Sequence, residues 1–192
     1  MKILTDVDGV LLNWETAFHD WMMQKGCFPK SFASYDIWDC YPHLNKDYVI
    51  DRVHVFNASA AMGFLSPLND AVYWTKRMYE YHGVTFHCIS SMGTDVYARR
   101  LRKENLERIF GNIIEDVTIL GCGEDKTAVL SKYTESGTIW LEDNFHNANV
   151  GGKQGLRTFL FNRTYNTPTG EDEHFYRISG WEQLYGILFP TG

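Results

Sequence analysis

Lys2-Ile-Leu-Thr-Asp6-Val-Asp8-Gly9-Val-Leu-Leu12 is an apolar run that ends in two carboxylates two residues apart, followed at once by glycine. A short apolar run bounded by a turn signal reads as a buried parallel strand, which puts Asp6 and Asp8 at its carboxyl end, where open α/β sheets place their ligands. Strand alternation points both carboxylates to one side, and like charges that close repel unless a cation or a shared proton relieves them. A hard ion such as Mg²⁺ suits oxygen ligands of this kind and is commonly held by one or two carboxylates plus substrate phosphate. Gly9 lets the chain turn tightly beside a ligand. The plainer reading is a strand-end aspartate in an ordinary Asp-Gly turn.

At 192 residues the chain suits one domain with room for an inserted subdomain. A net charge of −6 argues against duplex nucleic acid or an anionic membrane as a partner, since both call for a basic surface, but leaves a single nucleotide open. Cys27, Cys40, Cys88 and Cys122 form no CxxC pair and have no zinc-ligand spacing with histidine, which suggests a reduced, cytoplasmic setting. The chain enters its first strand within a few residues, leaving no room for a signal peptide, and no apolar stretch approaches bilayer length. A soluble intracellular protein is the expectation.

Trp14, Ala17, Phe18, Trp21 and Met22 recur at helical spacing, predicting an amphipathic helix from an Asn13 N-cap to about Gly26. Residues 27–66 are irregular and rich in aromatics (Phe28, Phe32, Tyr35, Trp38, Tyr41, Tyr48, Phe56), with Pro29 and Pro42 as breakers and a helix over roughly 45–56, a composition that suits a small helical lid. Beyond Pro67 the pattern alternates: helix 68–81 closed by Gly83, strand 84–89 ending at Ser90-Ser91, basic helix 95–110, strand 117–120, helix 125–133, strand 138–141, strand 156–161 and a closing helix 181–189. The expected fold class is α/β, a three-layer Rossmann-like parallel sheet, with the core formed by residues 1–12 and 67–192 and a helical cap inserted at 13–66.

Polar groups end several of these strands: Asp6 and Asp8, then Ser90 and Ser91, then Glu142-Asp143, while Lys126 opens the helix before that last strand. Parallel strands share one carboxyl rim, so these groups can meet in space. Together they provide what phosphoryl transfer through an aspartyl-phosphate needs: a carboxylate nucleophile, a second acid for proton transfer, a hydroxyl, and a lysine and metal to neutralise the phosphoryl oxygens. Singly, each has an ordinary role: Ser90-Ser91 as a turn or cap, Lys126 as a solvated first-turn lysine, Glu142-Asp143 as a helix-start charge pair.

Asp6-Val-Asp8-Gly9-Val, Ser90, Lys126 and Glu142-Asp143 resemble, in order, the four motifs of the haloacid dehalogenase superfamily of phosphotransferases, over residues 2 to about 161. Within it, Asp6–Glu15, Cys88–Ser91 and Glu124–Val129 are most similar to the 5′(3′)-deoxyribonucleotidases. The resemblance implies Asp6 as nucleophile, Asp8 as general acid/base whose carbonyl also ligates Mg²⁺, Ser90 holding the phosphoryl group with Ser91 beside it, and Lys126 countering its charge. Glu142 and Asp143 would complete the metal site, Asp143 as a direct ligand and Glu142 directly or through water. Ser90 stands where the nucleotidases usually carry threonine. Trp14 matches an aromatic position of that family and would stack on the base, while its helical periodicity equally suits packing between helix and lid.

The reading is a Mg²⁺-dependent phosphatase of (deoxy)ribonucleoside monophosphates. The nearest alternative is a phosphatase or mutase for sugar phosphates or another small phosphate ester, since one core serves many substrates. A dehalogenase is disfavoured because Asp8 offers the acid/base that phosphate chemistry wants. A receiver-type signalling domain shares the acids, hydroxyl and lysine, but not the aromatic insert or the late acid pair.

Overall fold

The computed structural model describes residues 1–32, 34, 36–133, 135, 137–166 and 173–190, so Tyr35 of the aromatic insert lies outside the described residues. Six parallel strands form one sheet in the order β3-β2-β1-β4-β5-β6: β1 Lys2–Thr5, β2 Thr85–Ser91, β3 Ile114–Leu120, β4 Ile139–Glu142, β5 Arg157–Phe161 and β6 Tyr176–Ile178. This is the doubly wound order, whose direction reverses between β1 and β4, and the crevice outside the carboxyl ends at that switch point is where such sheets bind ligands. β1 pairs with β2 through Thr5–Cys88 and with β4 through Thr5–Leu141, so Asp6 and Glu142 leave neighbouring strands at the same level.

The central strands are buried through most of their length, as expected for a parallel sheet with both faces covered. Helix α3 (Ala71–His82), α4 (Val96–Phe110), the single turn α5 (Thr127–Leu130), α6 (Phe145–Lys153) and α7 (Trp181–Leu188) connect or close the strands. The main core runs continuously from Ile3, Phe86 and Phe159 in the sheet to Phe18, Met22 and Phe56 in the insert. Among the described residues, no helix is long and apolar enough to cross a membrane.

Helix α1 (Trp14–Met23) begins as the sequence predicts, with the Asn13 side chain accepting from Thr16 N, and buries Phe18 and Met22. The rest of the insert contains α2 (Lys46–Asn57), capped by Asn45, and 3-10 turns at Ile37–Cys40 and Ala60–Gly63. Its two ends are stitched together: Asn13 N donates to Ser66 O at 2.9 Å, Leu68 N donates to Leu11 O at 2.9 Å, and Leu12 bridges Pro67.

That stitching corrects one boundary. Leu68 is held by the stalk, so α3 starts at Ala71 and not at Leu68. The helix expected over 125–133 is regular for one turn only, because the Gly121–Asp125 loop runs up to its N-cap at Lys126 and Ser131–Tyr133 continue as turns. Strand β3 begins at Ile114, three residues before the alternation becomes visible, and β6 was not foreseen: three residues are too few to show a period.

Candidate active site

The site is built where β1 and β4 diverge. Asp6 follows β1 directly, tied to the sheet by Asp6 N donating to Leu141 O at 2.8 Å. From β4 come Glu142, fully buried, and Asp143, 6% exposed. One carboxylate oxygen from each of these two and one from Asp6 lie within 4.8 Å of one another. Lys126 reaches in from the α5 N-terminus, 2% exposed, with Nζ at 2.8 Å from Asp6 Oδ1 and 2.8 Å from Glu142 Oε2, its charge lying 5.1 Å from the Trp140 ring.

The four acids are engaged differently. Both oxygens of Glu142 are taken: Oε2 by Lys126, Oε1 by the backbone N–H groups of Asp143 and Asn144, each at 3.0 Å. Glu142 therefore holds the lysine and the turn. Asp143 accepts from the Tyr165 hydroxyl through Oδ2. Asp8 lines the cleft and pairs through Oδ1 with Arg102 Nη1 at 2.5 Å.

Burial raises the carboxyl of Asp6 well above its ordinary range, with the Glu142 charge adding to the effect and Lys126 opposing it. Burial, then Asp6, pushes Asp143 up to about 6. For Lys126, burial works against the charge, but Asp6 and Glu142 outweigh it and hold the ammonium protonated. Three buried acids around one ammonium leave an excess of negative charge that a further cation would relieve. The donors are all hard oxygens, which suits a divalent ion of the Mg²⁺ class, and Asp6, Glu142 and Asp143 each bring one oxygen within reach of a shared ion.

Gly9 is required here. Its φ is +74°, and a Cβ on it would overlap the Asp143 carboxylate. Its carbonyl accepts from the Arg163 guanidinium, Nε at 3.0 Å. Arg163 belongs to the loop after β5, where Asn166 Nδ2 donates to the carbonyls of Asp143 and Phe161, at 2.7 Å each. One loop thus clamps both strand ends.

These groups floor a cleft of about 700 Å³ whose opposite wall comes from the insert: Asn13, Trp14, Glu15, Ile37, Trp38 and Asn57. Trp14 lines the cleft while one face stacks on Phe18 (5.1 Å, interplanar 5°) and its Nε1 donates to Asn57 Oδ1 at 2.7 Å. It is both packed and presented. Ser91 lines the cleft and donates to Glu124 O at 3.0 Å. Ser90 is buried, and its hydroxyl has no partner among the described residues.

The structure thus gathers Asp6, Asp8, Lys126, Asp143, Ser91 and Trp14 on one cleft, with Glu142 directly behind Lys126; Ser90, one residue before the end of the adjacent strand, is absent from the cleft wall. Sequence reasoning missed Arg102, Arg163 and Tyr165, because neither the burial of one arginine on a basic helix nor the approach of two loop residues to the cleft leaves a local signal.

No family model matches the chain. An uncharacterised 32.4 kDa protein of Enterobacteria phage T4 is 23% identical over 157 residues, covering 75% of this chain and 54% of that protein. The chain thus spans about half the length of the curated relative it matches. Among solved structures, a haloacid dehalogenase-like hydrolase, SP0104 from Streptococcus pneumoniae, superposes with a TM-score of 0.68 at 8% identity, covering 97% of each chain. The fold is that of the haloacid dehalogenase-like hydrolases. The L-2-haloacid dehalogenase of Xanthobacter autotrophicus (TM-score 0.57, 9% identity, 100% and 99% covered) shares it. So does the D,D-heptose 1,7-bisphosphate phosphatase of B. bronchiseptica, solved with magnesium and phosphate (TM-score 0.59, 11% identity, 97% of each chain covered). At these identities the likeness speaks for the haloacid dehalogenase-like fold, and the chemistry rests on the site.

Proposed function

We propose that this protein is a Mg²⁺-dependent phosphatase that hydrolyses nucleoside monophosphates through a phosphorylated Asp6. The observation that carries the reading is the Asp6–Lys126–Glu142 bridge at the sheet's switch point, with Asp143 within carboxylate reach of it. Asp6 attacks phosphorus and the bond to the leaving oxygen breaks, that oxygen taking a proton from Asp8. Water then attacks the same phosphorus, giving its proton to Asp8 and releasing inorganic phosphate and the Asp6 carboxylate. Lys126 offers a donor to the phosphoryl oxygens, and the Ser91 hydroxyl joins it on turning away from Glu124 O, while the unpartnered Ser90 hydroxyl lies behind the cleft wall as a further donor. Asp6, the Asp8 carbonyl and Asp143 would hold a Mg²⁺ ion, which would supply positive charge against the phosphoryl group, and Glu142 keeps Lys126 in place.

Residues 13–66 form the lid over the cleft, and Trp14 offers its remaining face to the base. A second reading, a sugar-phosphate phosphatase, is favoured by the amides of Asn13, Asn57, Asn144 and Asn147 on the cleft wall, which suit hydroxyl groups. Phosphate release from a panel of nucleoside and sugar monophosphates with Mg²⁺ decides between them. A preference for nucleotides by about tenfold or more in kcat/KM supports the first reading. Equal or better rates on sugar phosphates replace it with the second, and no turnover of any ester overturns both.

A further inference from the structure

Arg102 is fully buried, on α4, 94 residues along the chain from the carboxylate it serves. Its Nη1 lies 2.5 Å from Asp8 Oδ1, and among the described residues Asp8 is its one ion-pair partner. A buried guanidinium without a matching charge is costly, so a fold that keeps one here keeps Asp8 turned toward it. Two further residues on the same side of α4 grip the end of the insert. Asn105 Nδ2 donates to Leu65 O at 3.0 Å, and Arg108 Nη2 donates to Gly63 O at 2.8 Å. Arg102 Nη2 itself lies 3.2 Å from Met62 Sδ.

Asp8 sits beyond the end of β1, just before a glycine at positive φ, where a short side chain has several accessible rotamers. Its side chain is 25% exposed and lines the cleft. We propose that Arg102 is a positioning residue: it fixes one Asp8 oxygen against α4 so that the other faces the cleft as the atom that gives and takes the proton. The same helix face carries the lid's exit segment, so Asp8 is oriented from the element that anchors the lid. This role rests on the phosphatase reading and adds to it a residue that neither touches substrate nor belongs to the strand-end set.

The test separates the two half-reactions with p-nitrophenyl phosphate and Mg²⁺, following nitrophenolate by rapid mixing. Nitrophenolate departs without a proton, so phosphorylation of Asp6 tolerates a misplaced Asp8, whereas hydrolysis of the aspartyl-phosphate still needs Asp8 to take a proton from water. Arg102→Met should release about one nitrophenolate per protein in a burst. The steady rate that follows should be about tenfold to a hundredfold below wild type, with KM falling alongside kcat. Arg102→Lys, which keeps the charge on a shorter reach, should recover part of kcat and shrink the burst. Should the Met variant prove unfolded in a melting curve, the burst in the Lys variant carries the same test. Wild-type turnover with no burst in either variant, or losses matched by lowered stability alone, would overturn the role while leaving the phosphatase reading intact. A wild-type protein inert toward the probe would remove both.

Discussion

Replacing Lys126 by Met tests whether the lysine is the charge that permits two buried carboxylates to face each other. In the native arrangement Nζ is 2.8 Å from both Asp6 and Glu142, and all three side chains are nearly or wholly withdrawn from water. Methionine keeps most of the stem and removes the ammonium. Breaking a buried ionic arrangement by deleting one partner costs about 3–5 kcal/mol. For a domain of this size each kcal/mol corresponds to about 2–4 °C, so with chelator present the melting temperature should drop by roughly 6–20 °C at pH 7.5. The sign of the pH dependence follows from the carboxyls. Burial raises those of Asp6 and Glu142 above their unfolded values, and Lys126 is the influence that lowers them. A carboxyl raised on folding contributes stability below its unfolded pKa and loses it as pH climbs through the folded one. Without Lys126 that loss is larger, so the gap between variant and wild type should widen from pH 5 to pH 7.5. Adding Glu142→Gln should close part of it. A gap of less than about 2 °C, or one equal at the two pH values, would refute the buried triad as described.

Three other outcomes follow from the same geometry. Asp8→Asn should lower the melting temperature by about 5 °C or more as well as impair turnover, since it leaves Arg102 buried without its countercharge; a wild-type melting curve would contradict that pairing. Mg²⁺ should raise the melting temperature at pH 7.5 and much less at pH 5. Asp143, pushed up to about 6, must lose its proton to hold a cation, and equal shifts at both pH values would exclude it as a ligand. Trp14→Ala should lower kcat/KM for nucleoside monophosphates by roughly tenfold to a hundredfold, the worth of about 1–3 kcal/mol of base stacking. A small phosphate ester lacking a base should lose much less, and equal losses on both with a lowered melting temperature would return Trp14 to packing with Phe18.

The sequence by itself determined the parallel α/β class, the strand ends and most of the groups they carry. Asp6, Asp8, Lys126, Glu142 and Asp143 were readable because short apolar runs mark buried strands, and because every strand of a parallel sheet delivers its last residues to one rim. The Asn13 cap and the α1 face were readable for the same local reason, a period and a capping side chain within one helix. What those residues do to each other was decided by the tertiary structure. That Glu142 accepts from Lys126 and two backbone amides depends on how β4 meets the Lys126 end of α5. That Ser91 lines the cleft while Ser90 is buried depends on where β2 leaves the sheet. Arg102 in sequence is one of several arginines on a basic helix; only the packing of α4 against β3, α3 and the end of the insert removes it from water and gives it Asp8. Periodicity records which side of an element is buried, whereas the partner of a buried charge is fixed by an element elsewhere in the chain, and no local pattern encodes that distance.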